Sequence, residues 1–152
     1  MSWQCKLIDI VGTHDIKVTP PPGGGVCGET LLVDATGNHH RFRELPVGTM
    51  FYIPKDCDKD SWPWYLSEND DLSDYYHQNN SHRQPLLVIL PGHNLFLVDG
   101  KCWDRGRKYG GWRVSGEAPN ITIQPSIDLK GFYHGFLTNG VIGDDVEGRK
   151  YK

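Results

Sequence analysis

The sequence predicts a mainly β protein: a single small domain of antiparallel strands, a compact sandwich or partly open barrel, with little helix. Three observations lead there. Its 152 residues include 18 Gly and 10 Pro, which mark many turns between short elements. Short apolar or alternating runs recur along the chain, with turn dipeptides such as Asp99-Gly100 and Asn139-Gly140 between them. No sustained helical periodicity competes with them. The length allows one continuous core without cross-links, so residues 1–152 read as one domain.

From the N-terminus, Trp3–Ile16 alternates weakly and ends before Pro20–Gly25 (PPPGGG), a run that no regular element can continue. Glu29–Val33 and Arg41–Phe42 read as short strands around a Thr36-Gly37-Asn38 turn, and Gly48–Ile53 as a strand stopped by Pro54. From Lys55 to Gln84 the composition turns to Asp, Ser, Asn, His and aromatics without either periodicity. This reads as an insertion or long functional loop, with at most a turn or two of helix in Leu66–Tyr76. Its acidic part, Asp56–Asp74, reads as a solvated face ahead of the alternative, a surface that meets a basic tail on a substrate. Leu86–Leu90 and Leu95–Val98 then form a hairpin about Pro91-Gly92-His93. Further strands follow at Gly111–Val114, Asn120–Gln124, Tyr133–Leu137 and Val141–Ile142, the last two joined by Asn139-Gly140.

A net charge of −3 and a pI near 6.1 provide no basic face for nucleic acid. No stretch approaches the roughly 18 apolar residues of a membrane span, and MSWQCKLIDIV lacks a charged region followed by an apolar run, so a cytoplasmic protein is expected. The four cysteines, Cys5, Cys27, Cys57 and Cys102, never pair as C-x-x-C and read as free buried thiols. His39, His40, His77 and His82 lack ligand spacing, and neither metal nor cofactor is expected.

The chemistry points to Ser126 and His134. In Asn120–Ser126, alternation puts Thr122, Gln124 and Ser126 on one face and Ile121 and Ile123 on the other. Pro125 cannot donate to a ladder, so the strand must end, bulge or lie at an edge where Ser126 emerges. A return hairpin through Gly131 would bring His134 beside Ser126, and imidazole is the side chain best suited to take a serine proton at neutral pH. Residue types alone fit equally a turn-capping serine and a satisfied half-buried histidine. There is no G-x-S-x-G elbow.

The stretch Trp112–Gly140 (WRVSGEAPNITIQPSIDLKGFYHGFLTNG) resembles a family of small, mostly phage-encoded proteins. These share W-x-h-x-G, T-x-x-P-S-I and H-[GS]-[FW]-[LIV]-x-[ND]-G, carried here by Trp112, Gly116, Thr122, Pro125-Ser126-Ile127, His134-Gly135-Phe136-Leu137 and Asn139-Gly140. Residues 45–53 and the Leu86–Asp99 hairpin are similar to these proteins too. The same P-S-I and histidine elements occur in the BubE family of bacterial ubiquitin-like conjugation operons, understood to be serine peptidases.

The resemblance implies that Ser126 is the nucleophile and His134 the general base, with the C-terminal tail of a ubiquitin-like protein or its conjugates as substrate, in the cytoplasm of an infected bacterial host. Many relatives carry a cysteine next to the histidine; here Tyr133 and Gly135 stand there, which argues against zinc. The third catalytic group is left between Thr122 and Glu117, with Asp99 a further carboxylate on a nearby turn. Oxyanion donors are expected from backbone N–H groups near Gly131 or Ser126. The alternative is a non-catalytic phage protein that sequesters or blocks a host defence factor through its aromatic insertion.

Overall fold

The computed structural model describes residues 2–18, 27–54, 72–100, 102–104, 107–109 and 112–151. The PPPGGG run, most of the 55–84 insertion and Gly111 lie outside the described residues. In chain order the strands are β1 (Trp3–Gln4), β2 (Lys6–Leu7), β3 (Ile10–Val18), β4 (Cys27–Asp34), β5 (His39–His40), β6 (Thr49–Tyr52), β7 (Leu86–Leu90), β8 (Asn94–Leu97), β9 (Cys102–Asp104), β10 (Arg107–Tyr109), β11 (Arg113–Ser115), β12 (Thr122–Leu129), β13 (Tyr133–Thr138) and β14 (Val141–Ile142). Among the described residues, one short α-helix, α1 (Asp74–Asn79), lies between β6 and β7.

The mainly β expectation is met. A five-stranded sheet runs β1-β14-β13-β12-β11, a four-stranded sheet β2-β6-β7-β8 and a three-stranded sheet β3-β4-β5, with β9 and β10 as a separate pair. The described sheets do not close into a barrel. Among the described residues all strand pairings are antiparallel except β2 with β6, which is parallel. That parallel pair and the pairing of β1 with β14 split the expected Trp3–Ile16 strand into three, because each piece joins a different sheet.

The four-stranded sheet lies between the other two in the packing. Leu86, Val88 and Leu90 of β7 join Met50 and Phe96 in one core with Val114, Ile123, Ile127, Tyr133, Leu137 and Ile142 of the five-stranded sheet. The alternate residues Leu87 and Ile89 join Phe51, Ile10, Leu32 and Leu45 on the opposite side. A strand covered on both faces must be apolar throughout, and β7 reads LLVIL with every residue buried. Each such side chain contributes on the order of 1.5–3 kcal/mol by leaving water.

Two further differences from the sequence reading are local. The expected Arg41–Phe42 strand is instead a 3-10 turn over Phe42–Glu44, with the pairing to β4 made by His39–His40. Helix α1 runs past the end of the Leu66–Tyr76 region, to Asn79, and the Ser73 hydroxyl caps its start by accepting from the Tyr76 N–H at 3.0 Å; residues 66–71 lie outside the described ones. Cys5 is free and buried, as expected, and burial pushes its thiol up to about 12. No helix of the described residues is long and apolar enough to cross a membrane.

The hairpin of β13 and β14 turns on Asn139 and Gly140, with φ of 51° and 77°. Both positions need the left-handed region, which explains the Asn-Gly pair. A Cβ on Gly140 would also lie 2.6 Å from the Pro119 carbonyl, so the turn packs against the 116–120 loop through bare backbone.

Candidate active site

The site lies on the outer face of the β12–β13 hairpin. From its turn, the register runs Leu129↔Tyr133, Asp128↔His134 and Ile127↔Gly135, then jumps to Ile123↔Leu137. Gln124 still pairs with Arg113 of β11, but Pro125 and Ser126 have no register partner on either side. Of the end, bulge or edge expected at Pro125, this is the bulge, since proline has no N–H for the ladder. Ile123 and Ile127 both stay buried across it, and Ser126 is left on the outer side. The indole N–H of Trp112, which packs edge-on to Phe96 at 4.9 Å, donates to the Ser126 carbonyl at 3.3 Å and ties the bulge to the core.

His134 meets Ser126 across this gap. The Ser126 Oγ lies 3.2 Å from His134 Nε2, within reach for a proton to pass between them. Along β13 the buried residues are Tyr133, Gly135 and Leu137, so His134 and Phe136 point outward. Gly135 is required by its neighbour: a Cβ there would sit 2.1 Å from Tyr133 Oη. The Tyr133 side chain thus folds under the strand at Gly135 and donates to the Gly143 carbonyl at 2.8 Å, leaving its phenol protonated because burial, above all, raises its pKa.

On the other side of the imidazole, Glu147 Oε2 lies 3.5 Å from His134 Nδ1. Glu147 comes from the irregular segment after β14, which runs back beside β13 through the bonds Gly143 N–H to the Phe136 carbonyl (2.9 Å) and Val146 N–H to the His134 carbonyl (2.7 Å). Ser126, His134 and Glu147 therefore form a serine–imidazole–carboxylate chain, with His134 28% and Glu147 51% exposed. A carboxylate at Nδ1 favours the tautomer that leaves Nε2 free to accept the serine proton.

Of the residues read from the sequence, Ser126 and His134 are brought together, and Thr122 and Glu117 are not placed beside them. Thr122 lies beyond the bulge, where its hydroxyl accepts from the Asn139 N–H at 2.9 Å and so serves the β13–β14 turn. Glu117 is exposed in the turn closed by its own carbonyl and the Asn120 N–H at 2.7 Å. Asp99 is buried in an ion pair with Arg83. Glu147 was missed because no spacing rule links it to His134; the only signal was the charged run Asp144–Lys150 after the last strand.

The histidines considered for a metal are dispersed among the described residues. His40 pairs with Asp34 at 2.7 Å, the His39 ring lies tilted against His14 at 5.1 Å, and His77 packs on Tyr76 at 5.6 Å. Among the described residues, the one group with suitable donor atoms is Asp128, His134 and Glu147, all within 4.8 Å of one another. A cation held there would take the imidazole lone pair that Ser126 needs, so the two uses of His134 exclude each other. Comparison with protein-family models, curated proteins and solved structures finds no match in any of the three.

Proposed function

We propose that the protein is a serine peptidase in which Ser126 is the nucleophile, His134 the general base and Glu147 the carboxylate that orients it. The observation that carries this reading is the 3.2 Å approach of Ser126 Oγ to His134 Nε2 across the bulge. In the reaction, Oγ attacks the scissile carbonyl carbon while its proton passes to Nε2. The C–N bond then breaks as His134 gives that proton to the leaving amine. Water, deprotonated by His134, hydrolyses the resulting ester and regenerates Ser126.

Of the two backbone regions expected to supply oxyanion donors, the bulge is better placed than the Gly131 turn. Gly131 lies beyond the closing Leu129↔Tyr133 pair, whereas Ser126 carries its own N–H and has no register partner. One such donor is worth on the order of 3 kcal/mol in the transition state. The resemblance to peptidases of ubiquitin-like conjugation operons supports a protein tail as substrate, and with it action in an infected bacterial host. Phe132, Phe136 and Val146 are exposed apolar side chains within two residues or one backbone hydrogen bond of His134, which offers such a tail apolar contacts beside the nucleophile.

The test is labelling with a fluorophosphonate probe, applied to the wild type and to Ser126→Ala and His134→Ala. The expected result is labelling of the wild type only. A folded wild-type protein that is not labelled, or labelling that survives in both variants, overturns the peptidase reading and leaves the binding protein.

A further inference from the structure

Asp145 is among the most thoroughly bonded side chains described in the molecule, and nothing in the proposed chemistry uses it directly. Its side chain is 0% exposed. Its Oδ1 accepts from the Glu147 N–H at 2.7 Å, and its Oδ2 accepts from the His134 N–H at 3.3 Å and from Arg149 Nη1 at 2.9 Å. The Tyr151 Oη lies 2.5 Å from the same Oδ2 and 2.5 Å from the Phe132 carbonyl, with one proton to give to either. Burial alone would raise the Asp145 pKa, but the bonds from Tyr151, Arg149, Glu147 and His134 outweigh it and hold the carboxyl below the usual range.

We infer that Asp145 is a positioning residue, whose two carboxylate oxygens fix the backbones of His134 and Glu147 relative to each other and so set the approach of Glu147 to the imidazole. This rests on the serine peptidase reading and deepens it. Three features carry the inference. The bond to Glu147 N–H spans two residues and turns the chain back just before the Glu147 side chain departs. The bond to His134 N–H holds the other partner from the opposite oxygen. Arg149 then bridges the two carboxylates, 2.9 Å from Asp145 Oδ2 and 3.2 Å from Glu147 Oε2, which fixes the outer carboxylate against the buried one. Only an ionised carboxylate does all of this, because an amide in its place has one acceptor oxygen and would turn an NH₂ group toward donors.

The experiment compares wild type, Asp145→Asn, Glu147→Gln and the double variant by two readouts. One is the fluorophosphonate labelling rate per folded molecule. The other is the ring ¹⁵N shifts of His134, which report how far the neutral ring favours the Nδ1–H tautomer. Asp145→Asn is expected to slow labelling about tenfold, as much as loss of the Glu147 contact itself does. It should also reduce the Nδ1–H preference to the level seen in Glu147→Gln. Because both substitutions act on the same contact, the double variant should be slower than Asp145→Asn alone by no more than about twofold.

A folded Asp145→Asn protein with wild-type ring shifts, or fully multiplicative losses in the double variant, would overturn the inference. If Asp145→Asn does not fold, Tyr151→Phe, which removes a single donor, carries the test: an intermediate loss of the tautomer preference supports the inference and wild-type shifts refute it. Absence of labelling in the wild type would defeat the peptidase reading, while the ring shifts would still decide the role of Asp145.

Discussion

Asp99 and Asp145 are both buried carboxylates held by an arginine and by backbone N–H groups, yet they lie under different parts of the molecule. Asp99 takes two bonds from Arg83, at 2.7 and 3.0 Å, and one from the Leu86 N–H at 2.8 Å. Its carbonyl accepts from the Ser73 N–H at 2.9 Å, and the guanidinium lies over the rings of Tyr52 and Tyr76. These bonds gather Ser73 and Arg83, which flank α1, and Leu86 at the start of β7 onto Asp99 in the turn after β8. Asp145 has a comparable set of donors, but two of them belong to His134 and Glu147, whose side chains face outward beside Ser126. A buried, clamped carboxylate therefore does not mark a site by itself. What separates the two regions is the Ser126–His134–Glu147 group on the far side of the Asp145 clamp.

The largest effect expected from this comparison is on stability. Asp99→Ala leaves the half-buried Arg83 charge and the buried Leu86 N–H without their acceptor and should cost about 2–4 kcal/mol, read by denaturant unfolding. Its fluorophosphonate labelling rate per folded molecule should match the wild type; a specific loss of labelling would break the distinction between the two clamps.

A smaller effect, and one confined to chemistry, is expected of Glu147→Gln. Its carboxylate is half exposed, so unfolding should shift by less than about 1 kcal/mol. Labelling should slow about tenfold, equivalent to about 1.4 kcal/mol in the barrier. Equal labelling rates would remove Glu147 from the site.

The smallest effect is a pH dependence. Asp145 has a folded-state pKa below that of a free aspartate, about 3.9, so its contribution to stability is present above that value and is lost as the pH falls through the folded one. Stability of the wild type should decline below about pH 4 more steeply than that of Asp145→Asn, measured by unfolding across that range. Parallel curves would mean that the Asp145 bonds add nothing on folding.

Much of the fold was legible because local chemistry and tertiary context agree. The β7–β8 hairpin follows from an unbroken apolar run and a Pro91-Gly92-His93 turn, where Gly92 and His93 both take positive φ. Asn139-Gly140 specified its own turn. Pro125 likewise announced an end, a bulge or an edge, of which the bulge presents Ser126, so Ser126 and His134 could be paired from alternation and a hairpin return. The division of Trp3–Ile16 among three sheets was not legible, since it depends on partners such as β6 and β14 far along the chain. Glu147 was hidden for a related reason. Its place is set by bonds from Asp145 and by the Val146–His134 backbone contact, none of which leaves a period or spacing in the sequence.

The central claim is that Ser126 is the nucleophile. It is tested most directly by digesting the fluorophosphonate-treated wild-type protein and locating the adduct by mass spectrometry. The adduct is predicted on Ser126 and on no other residue. An adduct on a different side chain with Ser126 unmodified, or no adduct on folded protein, would contradict the account.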